Sequence, residues 1–107
     1  MSRTFTGIDP GVNGAIVTIT EDRTIKSVHV MPTFKMRYGK TKKAKLRKVI
    51  DLPALERLLK FCDITMLEKV HAMKGVAAGS TFNFGKNCGY LEGILTAKKK
   101  DYILATP

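Results

Sequence analysis

Thr4-Phe5-Thr6-Gly7-Ile8-Asp9-Pro10-Gly11-Val12-Asn13-Gly14-Ala15-Ile16-Val17-Thr18-Ile19-Thr20 is the stretch whose reading decides the fold. Its two ends are rich in β-branched residues and alternate with polar ones, as half-buried strands do. Asp9 to Gly14 between them is a glycine-rich turn, so the stretch is a β-hairpin. Glu21-Asp22-Arg23 turns the chain into a third, antiparallel strand over Thr24 to Met31, which Pro32 ends. Asp51 has the character of an N-cap, with Pro53 in the first turn and Leu55, Leu58 and Leu59 on one face of a helix that ends near Phe61. Ile64 to Val70 reads as a buried strand interrupted by Glu68. A loop from His71 to Gly79 leads to Ser80, the expected cap of a second helix reaching about Lys98, and Asp101 to Ala105 is a last short strand.

The expected order is β-β-β-α-β-α-β, an α/β chain with a mixed five-stranded sheet. Two helical crossovers make strands one, four and five parallel. The same order exposes a shortage, because two helices are few to cover both faces of five strands.

A chain of 107 residues fits one domain over 1–107, with a single core. Nineteen Lys plus Arg against nine Asp plus Glu give a net charge of +10, which favours a polyanionic partner. Nucleic acid is the first class that fits. The longest apolar runs, Gly14 to Ile19 and Tyr102 to Ala105, are too short to span a bilayer, so no membrane role is expected. Nor does the N-terminus contain an apolar run of signal-peptide length, which points to a cytoplasmic protein with Cys62 and Cys88 reduced.

Lys35, Arg37, Lys40, Lys42, Lys43, Lys45, Arg47 and Lys48 form a run with no acidic residue among them. A like-charged run cannot bury itself, so 35–48 is expected to be a mobile loop, and its charges are the candidate contacts to DNA phosphates.

Asp9 and Glu68 both fall at carboxyl ends of parallel strands, where open α/β sheets place their sites. Alternation puts Glu68 on the face of Ile64, Met66 and Val70, a charge among apolar side chains. A hard cation shared with Asp9 would remove the cost of burying it, and Mg²⁺ or Mn²⁺ suits a few carboxylates plus water. Taken singly, Asp9 also fits a turn-forming aspartate of an Asp-Pro-Gly sequence. In the second helix Phe84, Cys88, Leu91 and Leu95 make an apolar stripe expected in the core. Gly85, Gly89 and Gly93 recur every four residues, each costing about 1 kcal/mol of helix propensity. Their spacing asks for close approach of another backbone, either a symmetry mate or the protein's own sheet.

Gly7 to Ala15, together with Leu67-Glu68-Lys69-Val70-His71-Ala72-Met73 and Phe82-Asn83-Phe84-Gly85, resembles the RuvC-like Holliday junction resolvases, in particular their phage-type branch. The resemblance runs over nearly the whole chain. It implies an RNase H-like fold with strand order 3-2-1-4-5, a homodimer, and Mg²⁺- or Mn²⁺-dependent cleavage of branched double-stranded DNA in recombination, repair or replication, in the cytoplasm of a bacterium or a phage-infected host. Asp9 and Glu68 would be its catalytic metal ligands. His71 would lie where relatives place an aromatic that stacks on an opened junction base, with Lys74 nearby as a further DNA contact. The family completes its site with acidic residues on a C-terminal helix, so by this resemblance the chain is expected to be C-terminally incomplete. An actin-like or sugar-kinase ATPase shares the Asp-x-Gly strand end but needs two domains. A non-catalytic, dimeric DNA-binding remnant of a resolvase is the other reading.

Overall fold

The computed structural model describes residues 3–37, 46–60, 62–68 and 78–106. Along the chain run β1 (Thr4–Ile8), β2 (Ala15–Thr20), β3 (Ile25–Val30), β4 (Thr33–Arg37), β5 (Leu46–Ile50), α1 (Leu52–Leu59), β6 (Ile64–Glu68), α2 (Ala78–Ala97) and β7 (Asp101–Ala105). The main sheet is mixed, in the order β3-β2-β1-β6-β7, and β4 pairs with β5 in a separate two-stranded sheet. β1 is antiparallel to β2 and parallel to β6, and β6 is parallel to β7.

The parallel register is pinned at its start by Asp63. Its Oδ2 accepts the Thr4 backbone N–H at 2.9 Å and the Thr4 hydroxyl at 3.1 Å, while its own N–H donates to Thr4 Oγ1 at 3.3 Å. These bonds set Phe5 opposite Ile64 and, three pairs on, Ile8 opposite Leu67. The hydrogen bonds from Thr4 hold the Asp63 carboxyl below its ordinary value of 3.8.

Asp51 caps α1 by accepting the Ala54 N–H at 3.1 Å, and the Lys100 ammonium donates to the Lys60 carbonyl at 2.8 Å at the other end. α2 begins at Ala78, so Ser80 lies inside its first turn and not at its cap. Leu55 and Leu59 of α1 and Cys88, Leu91 and Leu95 of α2 are buried in one cluster with Ile8, Ile16 and Leu67 of the sheet. Both helices therefore cover the same face. Phe84 departs from its expected core stripe, since 42% of it is exposed. Cys62 and Cys88 are both buried thiols.

On the opposite face Val28 is 60% exposed, Met66 50% and Ile103 54%. Register places Val28 beside Val17 and Met66 between Gly7 and Ile103, so these belong to one continuous apolar surface. The shortage expected from two helices is thus borne by this face, which no element covers among the described residues. Within those residues no helix is long and apolar enough to cross a membrane.

The basic run corrects the sequence reading at both its ends. Residues 35–37 and 46–48 are strand residues of the β4–β5 hairpin, with Lys35 opposite Lys48, Met36 opposite Arg47 and Phe34 opposite Val49. Charges alternate with apolar residues in β4, so Phe34 and Met36 share one side of the hairpin with their partners Val49 and Arg47. The buried Ile50 and the Asp51 N–H donating to the Pro32 carbonyl at 2.9 Å anchor its base. Lys40, Lys42, Lys43 and Lys45 lie outside the described residues.

Candidate functional site

The turn after β1 is built around Asp9. Its N–H donates to the Ala15 carbonyl at 3.0 Å, which keeps it in the ladder, and its Oδ1 accepts the Gly11 N–H at 3.1 Å. The turn-forming role open to an Asp-Pro-Gly aspartate is therefore filled by one carboxylate oxygen. Gly14 closes the turn by donating to the Gly11 carbonyl at 2.8 Å. A Cβ on Gly14 would stand 2.9 Å from both the Asp9 carbonyl carbon and the Gly11 oxygen, closer than real Cβ atoms come, so only glycine fits.

Glu68 ends β6 one position beyond Leu67, and Leu67 pairs with Ile8. Asp9 and Glu68 consequently occupy neighbouring positions at the carboxyl ends of two parallel strands, which run about 4.8 Å apart. Two carboxylates so placed can share one small cation whose oxygen ligands lie at about 2.1 Å. The surroundings of Glu68 correct the sequence reading. It is half-buried, and its face-mate Met66 is half exposed, so it stands at the rim of the open sheet face and not among packed apolar side chains. Burial of a lone charge therefore gives no argument for a metal here. What remains is the adjacency of two hard oxygen donors, enough for a cation that keeps most of its water. Among the described residues no group of three or more His, Cys, Asp or Glu side chains is placed to hold a metal ion.

Glu92, which the sequence reading passed over, lies one helical turn beyond Cys88 and is half-buried. It receives the Tyr102 hydroxyl at 3.4 Å and the Cys88 thiol at 3.8 Å, so its carboxylate is held toward β7.

The hairpin cations Lys35, Arg37, Arg47 and Lys48 are exposed. Lys48 ties the hairpin to the Asp9 turn through a 3.1 Å bond from its ammonium to Asn13 Oδ1. His71 and Lys74 lie outside the described residues. Gly85, Gly89 and Gly93 are exposed, and a Cβ built on any of them meets no atom of the described residues within 4 Å. The sheet of the same chain is thus not what their smallness accommodates. Gly89 and Gly93 line a trough of about 630 Å³ with Leu52 and Pro53 of α1 and Ile94 of α2.

A signal that the sequence reading missed lies between the hairpin and α2. Phe34, Arg47, Lys48, Phe84, Lys86 and Tyr90 are among the walls of a groove of about 780 Å³. Its signal was available as aromatic and basic residues interleaved at helical spacing in 82–90 and at alternate positions in 34–49.

No protein-family model matches the sequence, and no curated protein is similar to it. Among solved structures, the fold is similar to that of Thermus thermophilus RuvC, with a TM-score of 0.54 at 11% sequence identity. The match takes in 97% of this chain and 64% of the RuvC chain, so this chain spans somewhat under two thirds of the length of that neighbour. The likeness is one of fold alone. A separate basic hairpin accompanies the five-stranded sheet and two helices.

Proposed function

We propose that the chain is the nuclease fold of a metal-dependent, structure-selective endodeoxyribonuclease that acts on Holliday junctions or related branched DNA. The observation that carries this reading is the placement of Asp9 and Glu68 at adjacent strand ends within a RuvC-like fold. Their donor set fits Mg²⁺ or Mn²⁺, which when bound supplies Lewis-acid chemistry to a phosphodiester. Asp9 keeps Oδ1 on the Gly11 N–H, so Oδ2 would be the oxygen to hold such a cation. Glu68 contributes from the neighbouring strand. Lys35, Arg37, Arg47 and Lys48 draw the phosphate backbone toward the same end of the sheet by charge. Lys40, Lys42, Lys43, Lys45, His71 and Lys74 belong to the same proposal as DNA contacts.

Assembly as a homodimer through α2 follows from the exposed glycine face. Three exposed glycines along one helix cost stability and accommodate no neighbour among the described residues, and a symmetric dimer lets two backbones approach closely there. Gly89→Leu should convert a sedimenting dimer to monomer. A wild-type monomer at high concentration would remove this part of the proposal.

The test of function is cleavage of a four-way junction in Mg²⁺. Asp9→Asn should abolish cleavage while DNA binding stays equal or tightens, because a ligand and a negative charge go together. Loss of binding along with cleavage would make Asp9 structural. A second reading, a DNA-binding module without catalysis, is favoured by the absence of a third ligand among the described residues. Binding of junctions with no cleavage by the wild type would establish it.

A further inference from the structure

We infer that the groove between the β4–β5 hairpin and the first half of α2 binds an unpaired nucleic-acid strand, with bases stacked on its aromatic residues and phosphates held by its cations. The inference deepens the nucleic-acid reading above and rests on it only for the class of partner. At about 780 Å³ the groove falls within the usual range of ligand sites. Three aromatic side chains along it remain exposed, Phe34 by 44%, Phe84 by 42% and Tyr90 by 37%, where a chain this size would normally bury them. Arg47, Lys48 and Lys86 supply the charge, and no Asp or Glu is among its described walls.

That combination discriminates between partners. An apolar protein surface would satisfy the aromatics but would leave the cations desolvated and without partners. A duplex would satisfy the cations but keeps its base faces stacked away from the aromatic rings. Only a strand with unstacked bases meets both needs, through stacking that is tolerant of sequence and a backbone that runs along the charges.

The groove also leads to the candidate site. A methyl group placed on Gly11 would lie 3.3 Å from Phe84 Cζ and 3.5 Å from Asp9 Oδ1. Val12 of the same turn lines the groove, and the Lys48 bond to Asn13 fixes its hairpin wall to that turn. A strand that leaves the groove at this end arrives beside Asp9, as the unpaired strand at a branch point would need to.

The experiment measures binding of the full chain to an oligothymidine of about 12 nucleotides, a length within the usual range for one domain, and to a duplex of equal length. Phe84→Leu, which keeps bulk without an aromatic face, and Tyr90→Ala should each weaken single-strand binding by about 5- to 100-fold, with duplex binding little changed. Phe84→Tyr should restore it. The triple change of Arg47, Lys48 and Lys86 to Gln should lower the single-strand salt slope by about 2. Photo-crosslinking of a 5-iodouracil oligonucleotide should map to Phe34, Phe84 or Tyr90.

If the wild-type chain cleaves no junction yet keeps its single-strand affinity and loses it in Phe84→Leu, the groove stands although the nuclease reading fails. Equal loss of duplex and single-strand binding on Phe84→Leu, or crosslinks only elsewhere, overturns the groove and leaves the nuclease reading intact. A wild-type dimer that Phe84→Leu dissociates, with single-strand binding unchanged, would make the groove a protein interface and also overturns it.

Discussion

Lys35 stands directly opposite Lys48 in the β4–β5 ladder, and this pairing ties a stability measurement to a binding measurement. Like charges facing each other across an antiparallel pair destabilise it by about 0.2–1 kcal/mol. Lys35→Gln removes that repulsion and leaves the Lys48 bond to Asn13 untouched. In a domain of this size 1 kcal/mol moves Tm by about 4–8 °C, so the variant should melt roughly 1–8 °C higher than wild type at low salt. Screening should shrink the difference as salt is raised. The same substitution removes one candidate phosphate contact, which lowers the duplex salt slope by about 0.9. Between 50 and 200 mM salt the ratio of wild-type to variant affinity should then fall by about 3.5-fold. Thermal melts and fluorescence anisotropy on a labelled duplex read the two effects on one sample. A higher Tm with an unchanged slope would mean that the hairpin does not touch phosphate. An unchanged or lower Tm would refute the repulsive register itself.

Asp63 has its carboxyl lowered by the hydrogen bonds from Thr4, so it adds stability above its ordinary value of 3.8 and loses it as pH falls through the lower folded value. Asp63→Asn should lower Tm at pH 7 and flatten the acid limb below about pH 4; an identical acid limb would contradict the assignment. Thr65 Oγ1 is buried without a hydrogen-bond partner among the described residues, so Thr65→Val should be neutral or stabilising by up to about 1 kcal/mol in urea denaturation, and a loss of 2 kcal/mol or more would reveal a partner for the hydroxyl.

The hairpin β1–β2 and the N-cap and apolar face of α1 were legible in the sequence because each rests on local signals, while the neighbouring strand ends of Asp9 and Glu68 followed from the crossover order that makes their strands parallel. The β-branched alternation on either side of a glycine turn allows little else, and Asp51 before Pro53 marks a helix start by chemistry within one turn. The β4–β5 hairpin was hidden by its charge. Thr33-Phe34-Lys35-Met36-Arg37 alternates as a strand should, but a reading that counts unpaired cations sees only a loop. Alternation correctly grouped Glu68 with Met66, yet which face the helices cover depends on how α1 and α2 both pack, and that is a tertiary fact. The glycine spacing in α2 likewise signalled closeness without naming a partner, and only the open space around Gly85, Gly89 and Gly93 removes the protein's own sheet from consideration.

The central claim is that Asp9 and Glu68 share one divalent cation, and Mn²⁺ titration followed by backbone amide signals tests it most directly. Paramagnetic broadening should begin at residues around 9–11 and 67–68, saturate with a single weak affinity, and vanish from both segments in either Asp9→Asn or Glu68→Gln. Loss of both segments to one substitution is the signature of a shared ion, since separate sites would lose only their own. Broadening spread over the acidic surface, or a Glu68 segment that still responds in Asp9→Asn, would contradict the account.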